Sequence, residues 1–302
     1  MSPCNFKHPS KQACAFKLIK TLLTGLAAAL LSCAIPSFAA DKIFYPLPES
    51  EGDLRYTYPI RLLELVIKKS DRKYELAPAK VVMQQKRALR EIELGSPDLQ
   101  IIWSMTSKAR EQQLLAIRIP IDKGLLGWRL PLVMGQRADQ FKNVKSVQDL
   151  VNFDAGQEAY WPDTEILRYN GLKVVEINYY DSTFKMLANN RFHYFPRSVL
   201  EITNEAKVHE ADGIVIDRYI AIHYPAASYF FVNKNNTALA EALRTGLERA
   251  IKDGSFDALF NEYHSPSMLA ALLRGRTIIE LKNPLLPEQT PLDRKELWYQ
   301  VK

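Results

Sequence analysis

Two hydroxyl side chains follow a short apolar run about one third of the way along the chain. Ser104 and Thr106 come directly after residues 99–103 (LQIIW), at the place where a helix is predicted to begin. Hydroxyl groups and free backbone N–H groups at a helix start attract anions. An ordinary helix N-cap uses the same groups. The pattern therefore predicts an anion site and leaves a purely structural cap as the alternative.

Three aromatic residues are candidates for the wall of a binding site. Trp103, Tyr45 and Trp161 each stand at or near the end of a predicted strand or the start of a predicted helix. Open α/β sheets bind ligands at such positions. An aromatic ring there can pack against an aliphatic or cationic part of a ligand. Packing in the hydrophobic core is the alternative for each of them.

The sequence contains none of the common catalytic or metal-binding motifs. G-x-S-x-G, H-E-x-x-H and phosphate-loop patterns are absent, and lone Asp and Glu residues form no acid–base pair by motif. The histidines beyond residue 39 lack metal-ligand spacing, and they are His193, His209, His223 and His264. We therefore expect no enzyme activity, no cofactor and no metal.

The N-terminal segment has the pattern of a secretory signal peptide. Four lysines precede an apolar run at residues 21–35, and in residues 36–39 (PSFA) that follow, small residues occupy the two positions that a signal peptidase reads. We predict cleavage after Ala39 and a periplasmic protein. A weak lipobox at residues 30–33 makes a lipid anchor on Cys33 the less favoured alternative. All three cysteines lie in this segment, so the chain after it has no disulfide and no thiol nucleophile.

Charge and hydropathy restrict the partners of the chain. The net charge is +6, and removal of the leader lysines leaves about +2 without a dense basic run. This excludes a typical nucleic-acid-binding surface. No second apolar run is long enough to span a membrane. We expect a released, monomeric protein whose partners are a small solute and a membrane protein.

Short apolar runs alternate with amphipathic helical segments along residues 42–281, which indicates an α/β fold. Four stretches in this order are similar to the type II periplasmic solute-binding proteins that serve polar amino acid transporters. They are residues 102–111 (IWSMTSKARE), 144–150 (VKSVQDL), 184–191 (FKMLANNR) and 235–260. The resemblance implies two lobes joined by two hinge crossings, with a ligand in the cleft and closure by hinge motion. Lobe 1 would comprise residues 40–127 and 228–302, and lobe 2 residues 128–227.

The resemblance also assigns roles to individual residues. Arg110 would bind the ligand carboxylate through a bidentate, charge-assisted pair, and a surface arginine is the alternative. Thr164, near the start of a lobe 2 helix, would contact an anion. Arg197 stands near the position where amino acid binders place an Asp for the α-amino group. This departure favours a dianionic or carboxylate-rich ligand, gripped by Arg110 and Arg197 together.

Three functions are compatible with this resemblance. The first is a solute-binding protein that delivers a small polar, carboxylate-bearing solute to an inner-membrane permease. The second is a sensor that signals to a membrane partner such as a kinase. The third, which we favour least, is a dehydratase-like enzyme, because such an enzyme needs a positioned acid or base in the cleft.

Overall fold

The computed structural model describes residues 1–3, 41–48 and 53–300. The chain divides into two compact units, Met1–Ala40 and Asp41–Lys302, and only the second is considered below. Apart from residues 1–3, the predicted signal peptide lies outside the described residues, as do its cleavage site and Cys33. Within the described part of the chain, no helix has the length and apolar character needed to cross a membrane.

The strands of the second unit are short and most contain buried apolar side chains. They are β1 (Asp41–Tyr45), β2 (Tyr74–Pro78), β3 (Ile101–Met105), β4 (Leu115–Ile117), β5 (Trp128–Met134), β6 (Asp154–Glu158), β7 (Lys173–Ile177), β8 (Phe195–Ser198), β9 (Ile214–Ile216), β10 (Ile220–His223), β11 (Ser228–Val232) and β12 (Thr277–Glu280).

The helices alternate with these strands, as the sequence pattern predicts. They are α1 (Thr57–Lys69), α2 (Gln85–Glu93), α3 (Lys108–Gln113), α4 (Val147–Leu150), α5 (Pro162–Tyr169), α6 (Tyr180–Ala188), α7 (Ile202–Val208), α8 (Thr237–Lys252), α9 (Ser255–Tyr263) and α10 (Pro266–Leu273). Short 3₁₀ turns connect several of them, including Leu54–Tyr56 and Leu125–Gly127.

The first sheet combines the N-terminal strands with one strand from much later in the chain. β11 lies between β3 and β4 and is antiparallel to both. β1 pairs in parallel with β2, and the Gln100 backbone N–H donates to Phe44 O (3.0 Å), which connects β1 to the start of β3. Because all five side chains of β11 are buried, this strand is the centre of the first sheet.

The second sheet is built around β5. β8 and β10 pair with β5 in antiparallel orientation, β9 pairs with its C-terminal part, and β12 pairs in parallel with β10. β6 and β7 form a parallel pair, and Ala155 bridges to Tyr194 just before β8. The mixed α/β class predicted from the sequence is therefore confirmed.

The longest of these helices packs closely against α1 through a glycine. A Cβ built on Gly246 of α8 would lie 2.1 Å from the Val66 carbonyl oxygen of α1. Only a residue without a side chain allows this backbone approach. The leucines of α8 that repeat every four residues are buried beside it: Leu239, Leu243 and Leu247.

The chain passes between the two sheets where the hinge crossings were predicted. Gly127 precedes β5, and a Cβ built on it would lie 2.1 Å from the Tyr224 carbonyl oxygen. The two connecting segments therefore run side by side. The predicted lobe boundaries stay a prediction. β12, which that prediction places in lobe 1, pairs with β10 of the second sheet.

Candidate functional site

A cavity of about 170 Å³ is lined by side chains from both sheets and the helices around them. Its charged lining residues are Arg55, Arg110, Asp122, Arg129, Asp163, Arg197 and Glu201, with His264 beside them. Apolar lining comes from Trp103, Met105, Ile121, Leu126 and Trp161. A pocket with mostly apolar walls and a few convergent polar groups is typical of a small-molecule site.

Arg110 is buried at the start of α3 and contacts only neutral acceptors. Its Nη1 donates to Ser104 Oγ (2.5 Å) and to the Met105 carbonyl oxygen (2.7 Å). Its Nη2 donates to Gln85 Oε1 (2.9 Å) and, at 3.4 Å, to the carbonyl oxygen of Tyr160. Burial lowers the pKa of Arg110 to about 10, although the more distant carboxylates of Asp163 and Glu158 oppose the shift. No carboxylate within residues 41–48 and 53–300 contacts the guanidinium directly, so among these residues Arg110 is a desolvated cation surrounded by neutral acceptors.

Arg129 of β5 forms a buried ion pair in the cavity wall. Its Nη2 lies 2.6 Å from Asp163 Oδ1 at the start of α5, and the Tyr224 hydroxyl donates to the same oxygen. Burial is the largest single influence on the pKa of Arg129 and would lower it, but the charges of Asp163, Tyr224 and Glu201 together raise it. The Nε of Arg129 is buried without a hydrogen-bond partner. The positive charge of Arg129 is therefore compensated by Asp163 inside the cavity wall.

Arg197 of β8 is held by two glutamates. Its Nε and Nη2 donate to Glu205 at 2.8 and 2.7 Å, and Nη2 also pairs with Glu201. The guanidinium lies over the Trp161 ring at 4.8 Å from its centroid. Burial alone would lower the pKa of Arg197, but Glu201 and Glu205 together raise it. The positive charge of Arg197 is thus balanced within the protein.

Arg55 also pairs with a carboxylate, which belongs to the nearby residue Asp53. Its Nε and Nη2 contact the two carboxylate oxygens of Asp53 at 2.8 and 2.6 Å. The guanidinium lies 3.9 Å from the centroid of the Tyr180 ring. Since Tyr180 belongs to α6 beside the second sheet, this contact connects the two sides of the cavity.

Asp122 is a buried carboxylate in the cavity wall. Its side chain is 5% exposed, and Oδ1 accepts the Gly124 backbone N–H at 3.1 Å. Oδ2 has no hydrogen-bond partner. Burial raises the pKa of Asp122 to about 6, against the opposing effect of neighbouring backbone N–H groups. Lys123, the next residue, instead pairs with Asp257 at 2.6 Å.

His264 lies at the end of α9 against aromatic rings. Its ring centroid is 4.8 Å from that of Tyr58 and 5.1 Å from that of Phe260. The His264 Nε2 is buried without a hydrogen-bond partner. Desolvation by these surroundings lowers the pKa of His264 to about 4.

His264 should make the protein sensitive to acid. Its pKa in the folded state lies below that of an exposed histidine, so the unfolded chain takes up the proton first and stability falls as pH drops from about 6.5 to 4. The shift corresponds to about 3 kcal/mol. We expect His264→Phe, which keeps a ring there, to lose less stability than the wild type between pH 7 and pH 4 in urea unfolding. Parallel pH profiles would contradict this account.

Metal ligands are not grouped in the described residues. No set of three or more His, Cys, Asp or Glu side chains within residues 41–48 and 53–300 is arranged to hold a metal ion.

Comparison with solved structures identifies the fold. No protein-family model and no curated protein matches the sequence. An ancestral arginine-binding protein bound to arginine superimposes with a TM-score of 0.56 at 17% identity, covering 75% of this chain and 98% of the other. An arginine-specific periplasmic binding protein of Salmonella typhimurium gives 0.55 at 16% identity, covering 74% and 99%. The VFT2 domain of Bordetella pertussis BvgS gives 0.57 at 15%, covering 74% and 93%.

The chain has the type II periplasmic binding protein fold. The predicted fold, with two lobes and hinge crossings between them, is thereby confirmed. At these identities the likeness concerns the fold alone. In this fold the two sheets are the cores of two lobes, and the cavity described above lies between those sheets.

Five of the eight candidate residues meet at this interlobe cavity. Ser104 and Arg110 contact each other directly. Trp103 packs edge-on against Tyr56, with 5.3 Å between ring centroids. The other two candidates that line the cavity are Trp161 and Arg197.

The structure does not bring Tyr45, Thr106 and Thr164 to the cavity. The Thr106 hydroxyl donates to Glu111 Oε1 at 2.7 Å, and its backbone N–H donates to Ala227 O at 2.8 Å. The Thr164 hydroxyl donates to Glu158 O at 2.8 Å. The hydroxyl hydrogen of each threonine is therefore already used in a hydrogen bond within the protein. Tyr45 ends β1 and packs, partly buried, against the core.

Several lining residues were not among the sequence candidates. Asp122, Glu201 and His264 lie in segments without any motif. Arg129 follows the predicted lobe boundary, and Asp163 stands at a predicted helix start, but neither residue was singled out. The arrangement PDT at residues 162–164 is a typical helix start, and the resemblance pointed to Thr164 there, whereas Asp163 is the residue that lines the cavity.

Proposed function

We propose that this protein binds a small polar solute with a carboxylate group in the interlobe cavity, and that Arg110 binds the carboxylate. The observation that carries this proposal is the state of Arg110. Its guanidinium is buried in the cavity wall, and its four hydrogen bonds go to neutral acceptors. The other arginines that line the cavity, Arg55, Arg129 and Arg197, each pair with a carboxylate.

The surroundings of Arg110 favour a carboxylate as the ligand group. Burial of an unpaired cation costs free energy, which is why the pKa of Arg110 falls. An incoming carboxylate supplies the missing negative charge and forms charge-assisted hydrogen bonds. Gln85 and the Tyr160 carbonyl can be displaced at Nη2 at the cost of neutral hydrogen bonds only.

The pairing of Arg197 argues against the dianionic ligand that the sequence suggested. Two glutamates already contact its guanidinium, so a second ligand carboxylate would meet a neutralised site next to Glu201. We therefore favour a ligand with one carboxylate at Arg110. Binding without catalysis is our proposal, because Asp163 and Glu201, the carboxylates on the lobe 2 side, are engaged by arginines.

Delivery to a transporter and sensing are both compatible with this binding site. The similar structures include amino acid binding proteins and also a histidine kinase sensor domain, at a TM-score of 0.54 and 12% identity. Transport and sensing each require only a ligand cavity and a surface that contacts the membrane partner. We propose a protein that works outside the cytoplasm, with a permease or a membrane sensor as partner. Adjacent permease and ATPase genes would favour transport, and an adjacent signalling gene would favour sensing.

A thermal-shift screen of residues 40–302 tests the proposal. The panel contains monocarboxylates, dicarboxylates, amino acids, and amines and sugars without a carboxylate. A ligand at a hundred times its Kd adds about 2.7 kcal/mol of stability. We expect stabilisation by compounds with a carboxylate. Stabilisation only by compounds without one would contradict the proposal.

A further inference from the structure

A further segment of the chain runs between the two lobes, beside the two hinge crossings. Residues 281–285 leave the end of β12 in the second sheet and reach α3, which connects β3 to β4 of the first sheet. We propose that this segment, the third crossing, restrains the opening of the interlobe cavity and so slows the exchange of a ligand. The inference goes beyond the proposed function, because it concerns the motion of the lobes and does not depend on the chemistry of the ligand.

The third crossing starts from a firm attachment to the second sheet. β12 pairs in parallel with β10, and the Leu281 N–H extends this pairing by donating to His223 O at 2.8 Å. Lys282 then exchanges two hydrogen bonds with Asn170, which follows α5. The Lys282 N–H donates to Asn170 Oδ1 (2.9 Å), and Asn170 Nδ2 donates to Lys282 O (2.8 Å). The start of the third crossing therefore moves with the second sheet.

Asn283 connects the third crossing to the neighbouring hinge segment. Its Nδ2 donates to Pro225 O at 2.8 Å, and its Oδ1 accepts the Leu285 N–H at 2.9 Å. Pro225 lies between β10 and β11, in the segment that runs beside Gly127. Because β5, β10 and β12 are neighbouring strands of the second sheet, the three segments that adjoin them pass between the lobes side by side.

The far end of the third crossing is attached to the helix that carries Arg110. The Lys108 N–H, at the start of α3, donates to Leu285 O at 2.9 Å, and Lys108 Nζ donates to Pro284 O at 3.0 Å. The first N–H groups of a helix have no acceptor within it. The Leu285 carbonyl supplies one from a distant part of the chain, so a movement between the lobes is transmitted to α3.

The chain that follows the third crossing is fixed beside the first sheet. Arg294 Nη1 lies 2.6 Å from Glu248 Oε1 of α8, and the Tyr299 N–H donates to Lys123 O at 2.8 Å. Leu297, between Arg294 and Tyr299, is fully buried. Since the third crossing is held at both ends, opening of the lobes must strain or break the hydrogen bonds along it.

These bonds belong to a closed arrangement of the lobes. The two sides of the cavity touch where the Arg55 guanidinium lies on the Tyr180 ring. A hinge of three adjacent segments is stiffer than a hinge of two, because opening changes the backbone dihedral angles of all three together. A cavity that opens less often admits and releases a ligand more slowly. Loss of the bonds along the third crossing should therefore increase the open population.

Single-molecule energy transfer between dyes on the two lobes measures this population. The chain beyond residue 40 contains no cysteine, so two introduced cysteines take up the dyes in a protein of residues 40–302. Lys68→Cys on α1 and Lys185→Cys on α6 place them at exposed positions. In Asn283→Ala we expect the open population to rise about two- to tenfold, the range that corresponds to one hydrogen bond.

Asn233→Ala is the matched control. Asn233 Nδ2 donates to Ile92 O (2.8 Å) and Glu93 O (3.0 Å), so this side chain also connects distant segments. These segments, the end of α2 and the residue after β11, both lie beside the first sheet. We expect the open population of this variant to equal that of the wild type. A rise of the same size in both variants would indicate general loosening of the protein and would overturn the inference.

Cutting the folded chain tests the third crossing without a substitution in it. A protease site inserted between Glu288 and Gln289, which are both exposed, allows the covalent link to the tail to be broken. Cleavage should raise the open population at least as much as Asn283→Ala, and it decides the question alone if that variant does not fold. A rise in either protein that the control lacks supports the inference. An unchanged distribution in both overturns it and leaves the role of Arg110 intact.

Discussion

Replacing Arg110 by methionine should reduce the affinity for the carboxylate ligand about 100-fold or more. Methionine keeps an unbranched side chain of similar reach but removes the charge and all four hydrogen bonds. Loss of one partner of a buried, hydrogen-bonded charge pair costs about 2–5 kcal/mol, and about 1.4 kcal/mol corresponds to tenfold in Kd. Calorimetric titration of both proteins with a ligand from the screen measures the effect.

Arg118→Met is the matched control for this variant. Arg118 lies on the same segment, half-exposed, and pairs with Glu111 at 2.6 Å. Neither residue of this ion pair lines the cavity. We expect the control to bind like the wild type. A Kd for Arg110→Met within threefold of the wild type would show that the carboxylate does not contact this residue.

Replacing Asp122 by asparagine should stabilise the unliganded protein at neutral pH. The folded pKa of about 6 lies above the ordinary value of 3.8, so the folded state holds the proton more tightly than the unfolded chain. The wild type therefore loses stability as pH rises from about 4 to 6, and a shift of this size corresponds to about 3 kcal/mol. Asparagine can keep the bond from Gly124 to Oδ1 and carries no charge.

The pH dependence is the decisive part of this prediction. At pH 4 the variant should be as stable as the wild type or less stable, because the amide group leaves a buried donor unpaired, at a cost of about 1–3 kcal/mol. Between pH 4 and pH 7.5 the difference should move by about 3 kcal/mol in favour of the variant. Urea unfolding at both values measures it. A constant difference would show that Asp122 is not a desolvated carboxylate.

Regular elements could be predicted wherever one pattern dominated the segment. The continuous apolar run at Ser228–Val232 predicts the strand observed there, and leucines at every fourth residue predict the helix observed at Thr237–Lys252. The spacing of Ser146 and Asp149 likewise indicates the capping box that the structure contains. In each case the local composition and the tertiary surroundings favour the same structure.

β6 could not be predicted because its composition contradicts its structure. Asp154–Glu158 (DAGQE) contains residues that are rare in strands. It forms a strand because the ring of Phe192 fills the space beside Gly156, within 2.6 Å of a Cβ built there, and because the backbone pairs with Lys173–Ile177. Because this packing involves residues that are distant in the chain, no local sequence pattern predicts it.

The charge state of the cavity residues could not be predicted from the sequence either. Arg110 and Arg197 were both identifiable as arginines near predicted strand ends. That Arg197 is neutralised by Glu201 and Glu205 follows from how the turn after β8 folds back into α7. Asp122 lies in no recognised motif, and its burial in the cavity wall is evident only from the structure.

The central claim is that a ligand carboxylate pairs with Arg110, and a double-mutant cycle tests it most directly. Calorimetry would compare the best carboxylate ligand with its primary amide, in the wild type and in Arg110→Met. We expect the amide to bind at least 100-fold more weakly than the acid to the wild type and about equally to the variant, which is a coupling of roughly 2–3 kcal/mol. The same preference for the acid in both proteins would contradict the account.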